Sequence, residues 1–86
     1  MNSQENSEKI LNHIKTLQNQ VYIQDDVLII NVAYEYTIAL ERCDTYEKIL
    51  GWVFHLLEKT WMTNDVARRF ISLACKHHNL ERPSAP

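Results

Sequence analysis

The stretch Val27–Leu40, VLIINVAYEYTIAL, decides the fold. Leu28, Ile30, Val32, Tyr34, Tyr36, Ile38 and Leu40 share one parity, and Val27, Ile29, Asn31, Ala33, Glu35, Thr37, Ala39 and Glu41 fall on the other. Period two in β-branched and aromatic residues marks a strand, because successive side chains point to opposite faces. Fully extended, the stretch would reach roughly 45 Å, too far for so small a domain. It is therefore expected to break near Asn31–Ala33. Upstream, Val21-Tyr22-Ile23 reads as a further strand, and Gln24-Asp25-Asp26 as the turn between them. The expectation is a small antiparallel sheet of two or three strands. A helix over part of Ala33–Arg42 is the rival reading.

Helical periodicity brackets this segment. Ile10, Leu11, Ile14, Leu17 and Val21 line one face of a helix expected over Ser7–Gln20. The stripe is narrow, which suits a surface helix laid against another element. Asp44 followed by Glu47 resembles a capping box. The helix it opens, to about Lys59, carries Tyr46, Ile49, Leu50, Trp52, Val53, Phe54, Leu56 and Leu57 over more than half its circumference. So wide an apolar arc predicts burial on two sides. After a short connection at 60–62, Thr63 caps a last helix from Asn64 to about His78, with Val66, Phe70, Leu73, Ala74 and His77 along one stripe. An Asp65–Arg69 pair is expected on its outer face. The architecture is thus α+β: an N-terminal helix, a small antiparallel sheet and a C-terminal helical hairpin. Residues 1–6 read as a disordered lead-in, 7–80 as one globular domain and 81–86 as a flexible tail.

Composition narrows the function classes. The chain has 86 residues, is 45% hydrophobic and 23% charged, and has a formal net charge of -2. That balance does not suit a general nucleic-acid or membrane binder. The asymmetry is modest: residues 1–58 sum to -5 and residues 59–86 to +3. With a single glycine, Gly51, there is no glycine-rich phosphate loop. The polar first ten residues carry no apolar signal core, and two cysteines without one imply free thiols, so a cytoplasmic location is expected. No membrane association and no cofactor are expected.

Two thiols and two imidazoles, Cys43, Cys75, His77 and His78, form a zinc ligand set by residue type. Their spacing lacks any paired half-site, and residues two apart on a helix point about 160° apart, so no metal site is expected. Neither thiol has a neighbour that would depress its pKa, and the carboxylates are scattered at solvated-face spacing. An enzyme is not expected.

Two surfaces remain. Gly51 stands mid-helix at a cost of about 1 kcal/mol against alanine, which a close approach or a notch for a partner would explain. Lys48, Gly51, Trp52, His55 and Lys59, followed by Trp61, are the candidate protein-binding residues. The alternative is a helix-turn-helix-like DNA binder whose last helix presents Arg68, Arg69 and Lys76. A core of this size also favours a homodimer, through strand pairing in the first instance.

From Tyr36 to Leu80, the segments EKILGWVFHLLEK (47–59), with WMT (61–63), and RFISLACKHHNL (69–80) resemble small proteins encoded by bacterial phages and mobile elements. The resemblance implies a cytosolic accessory protein that binds and modulates a host protein, such as a component of a defence system. It brings no catalytic residues with it.

Overall fold

The computed structural model describes residues 3–84. Helix α1 (Ser3–Gln20) runs without a loop into strand β1 (Val21–Gln24), followed by β2 (Val27–Asn31) and β3 (Glu35–Ala39). A 3-10 turn (Leu40–Cys43) leads to α2 (Tyr46–Leu56), and α3 (Asn64–His77) closes the order. The sheet is an antiparallel meander, β1-β2-β3. Ile30 lies opposite Val21 on one side and Tyr36 on the other, and Leu28 lies between Ile23 and Ile38. Period two thus carries one parity onto the helices. The long apolar stretch breaks over Val32–Tyr34, as the length argument requires.

The core lies between this sheet face and α3. Val21, Leu28, Ile30, Ile38 and Leu40 meet Ile49 and Leu56 of α2 and Val66, Phe70, Ala74 and Cys75 of α3. α3 packs against β1, β2, α1 and α2. Its C-terminus is closed by a Schellman motif: Leu80 N–H donates to Cys75 O at 2.8 Å and Asn79 N–H to Lys76 O at 3.3 Å. Asn79 takes the left-handed conformation this needs, with φ 57°.

Several expectations are corrected. α1 starts at Ser3, so residues 3–6 of the expected lead-in are helical, while Met1 and Asn2 lie outside the described residues. The cap of α2 is Thr45, whose hydroxyl accepts from Lys48 N–H, and not Asp44, whose carboxylate pairs instead with Lys48 Nζ at 2.8 Å. α2 ends at Leu56, and the connection to α3 runs over Leu57–Thr63, longer than the tight turn of a helix-turn-helix. The tail is held at its start, where Tyr46 Oη donates to Glu81 O at 2.6 Å. Pro86 and Ala85 lie outside the described residues.

α1 behaves as an arm. Leu17, near its C-terminal end, packs on the core, and His13 pairs with Asp65 of α3 at 2.8 Å. Ile10, Leu11 and Ile14 are 43–61% exposed. The radius of gyration, 14.1 Å, exceeds the value of about 12 Å typical of a compact domain of this length.

Candidate functional site

Four of the six sequence-derived contact residues come together. Lys48, Gly51, Trp52 and His55, joined by Arg42 of the 3-10 turn, line a shallow depression on α2. Trp52 is half-buried, its Nε1 donating to Arg42 O at 3.2 Å, and His55 stands edge-on to its ring at 6.0 Å. Gly51 faces open space: a Cβ built there meets nothing within 4 Å. Internal packing therefore gives no reason for the glycine. Lys59 and Trp61 belong elsewhere. They close onto β3 and the bend before it, with Lys59 Nζ 5.6 Å from the centre of the Tyr36 ring and Trp61 packed edge-to-face on Tyr34 at 5.8 Å.

The larger feature is one that sequence reasoning missed. The wide apolar arc of α2 is covered on one side only. Ile49 and Leu56 enter the core, whereas Leu50, Phe54 and Leu57 are 60–74% exposed and Tyr46 adjoins them. At 100° per residue these four fall on one outward stripe, with Gly51 between it and the depression. On the α3 side the stripe opens into an apolar groove lined by Ile49, Val53, Ile71, Cys75 and Pro83. The signal that could have found it was the arc itself, which is wider than one neighbour can bury.

The residues proposed for nucleic acid are not presented together. Arg69 is half-buried, and its Nε donates to Val21 O at 2.7 Å, so it fastens α3 to the start of β1. The expected Asp65–Arg69 pair is replaced by Asp65 with His13. Arg68 and Lys76 are exposed, eight residues apart along α3.

Both thiols are buried, and His77 stands edge-on to the ring of His78 at 4.9 Å. Cys43 is buried, with Sγ 3.9 Å from Ala39 O, and burial pushes its thiol up to about 11. Burial raises Cys75 as well. His78 Nε2 lies 2.7 Å from Leu40 O; a carbonyl only accepts, so that nitrogen carries the proton. Among the described residues no group of three or more His, Cys, Asp or Glu is placed to hold a metal ion. A nucleophile needs an accessible thiolate, and neither cysteine offers one. Iodoacetamide at neutral pH is accordingly expected to leave both cysteines unlabelled in the folded chain and to label both in denaturant, read by intact mass. Labelling of the native protein would contradict this burial.

Among the described residues no helix is long and apolar enough to cross a membrane. No protein-family model, curated protein or solved structure matches the chain, so its functional reading rests on its own geometry.

Proposed function

We propose that this chain is a non-catalytic protein-binding module and that the outward side of α2 is its contact surface. The observation that carries this reading is the exposure of Leu50, Phe54 and Leu57 on a well-formed helix. Contiguous exposed apolar side chains on a rigid element cost solubility and are typical of interfaces. The depression beside them adds Trp52, His55 and Lys48, giving an aromatic anchor with a polar rim. Gly51 joins the two halves and leaves room for a partner to approach the helix backbone.

The resemblance to phage and mobile-element proteins supplies a setting. The module acts in the cytoplasm, where its buried thiols stay reduced, and modulates a host protein by occupying it.

Affinity capture from host lysate tests the surface, with and without nuclease. The wild type is expected to retain a protein partner after nuclease, and the Leu50→Asp/Phe54→Asp and Gly51→Arg variants to lose it by at least about tenfold, some 1.4 kcal/mol. These side chains point to solvent, so circular dichroism should stay unchanged. Equal capture by the variants would end this reading. Recovery of nucleic acid that Arg68→Ala removes would move the function to α3.

A further inference from the structure

The apolar groove between α2 and α3, about 440 Å³ in volume, has no charged side chain in its lining. Ile71 and Pro83 of that lining also belong to a second hollow, about 300 Å³, which they share with Arg68, Ser72 and Arg82. The two adjoin, and together they make one trough, apolar over most of its extent and cationic at one margin. Both volumes fall in the range of small-molecule sites, about 300–1,000 Å³.

The cationic margin is uncompensated. Arg68 and Arg82 are exposed, and among the described residues neither pairs with a carboxylate. No carboxylate lines either hollow. Asp65 shares a third hollow with Arg68, Arg69 and Arg82, but its carboxylate pairs with His13 at 2.8 Å. Glu81 precedes Arg82 in the chain and lines none of the three hollows. On α2, Glu47 projects to the edge away from Ile49 and Val53, outside the groove.

We propose that this trough binds an anionic amphiphile, with its alkyl chain along the groove and its carboxylate or phosphate head at Arg68 and Arg82. Guanidinium groups suit either head, and the Ser72 hydroxyl adds a donor beside them. The lining selects the chain. Tyr46 Oη, the one hydroxyl in the groove, already donates to Glu81 O at 2.6 Å. An extended peptide laid there would leave backbone N–H and C=O groups without partners, whereas an alkyl chain has none to lose. A helix satisfies its own backbone but is about 10 Å wide, and so lies over a trough between two packed helices and not in it. Tyr46 and Val53 stand about 10 Å apart along α2, which matches a chain of medium length. This site stands whether or not the outward stripe of α2 docks a protein.

Titration calorimetry with dodecanoate and with dodecyl phosphate, each below its micelle concentration, tests the site. At least one is expected to bind saturably at one per chain, and at least about tenfold more tightly than dodecanol or dodecyltrimethylammonium. Cutting its chain from twelve carbons to eight should weaken binding by at least about tenfold. Arg68→Ala/Arg82→Ala should lose at least about tenfold in affinity. Leu50→Asp, at the exposed lip of the groove, should lose as much with circular dichroism unchanged. Phe54→Asp, outside the trough, should bind like the wild type. Affinity indifferent to head charge, or to loss of both arginines, overturns the proposal. Retention on phosphatidylglycerol vesicles without binding of either free amphiphile overturns it in favour of a membrane-surface contact. The capture assay keeps this site separate from the α2 contact: the double arginine variant should retain the protein partner and Phe54→Asp should weaken its capture. A partner lost with the arginines, and no amphiphile bound, gives those arginines to the protein contact and overturns the site.

Discussion

Phe70→Ala is expected to remove about 3–5 kcal/mol of stability and to bring the domain to the edge of unfolding. Phe70 is the largest fully buried side chain, set in the middle of α3 against the sheet. Its ring belongs to the same buried cluster as Val21, Leu28 and Ile30 of the sheet and Ile49 and Leu56 of α2, and alanine would leave most of its volume empty. A chain of this length is stable by roughly 4–13 kcal/mol, so the loss is a large share of the whole. Urea unfolding followed by circular dichroism measures it. Phe70→Leu keeps most of the volume and should lose about 1.5 kcal/mol or less. If Phe70→Ala costs under about 1 kcal/mol, α3 does not seat its stripe on the sheet as described.

The same residue shows what the sequence makes legible. Val66, Phe70 and Ala74 recur at helical spacing with polar neighbours, and the buried face follows from that spacing alone. The sheet is equally local in origin, since Leu28, Ile30, Tyr36 and Ile38 alternate and one face is core. The caps were harder, because Asp44 and Thr45 are both good cap residues in adjacent positions. The choice is made by the preceding 3-10 turn, which leaves Asp44 helical (φ -86°, ψ -2°) and Thr45 extended (φ -133°, ψ 158°). The end of α2 has the same kind of cause. No glycine or proline stops it, but Glu58 and Lys59 donate to His55 O and Leu56 O in tighter turns, and the chain then leaves to seat Trp61 on Tyr34, just before β3, and Tyr36 within it. Least legible was the candidate site. A helical wheel gives the width of the α2 arc, whereas its coverage depends on where α1 and α3 lie, which are contacts distant in sequence. Asn79 was readable in principle, as an asparagine just past an apolar-periodic helix.

Asp25→Asn/Asp26→Gly is expected to run in the opposite direction and stabilise the domain. The β1–β2 hairpin turns on two residues with positive φ, 53° at Asp25 and 61° at Asp26, the geometry of a type I′ turn. Asparagine followed by glycine suits those positions best, whereas two aspartates occupy the left-handed region at a cost of about 1 kcal/mol each and place like charges side by side. Against this, glycine gives the unfolded chain more freedom, about 0.5–1 kcal/mol. The net is a gain of about 1 kcal/mol, or a rise of roughly 4–8 °C in Tm for a domain of this size. The bond from Leu40 N–H to Asp26 O, 3.1 Å long, uses only the backbone and survives the exchange. Asp26→Val supplies the opposite sign, because a β-branched side chain at that φ collides with its own backbone. If the glycine variant melts lower than the wild type, the turn is not left-handed, and the register that puts Val21 opposite Ile30 is wrong with it. If it melts higher, the hairpin stands, and the gain offers a more robust background for the aspartate substitutions on α2, so that lost binding can be read as lost contact and not as lost fold.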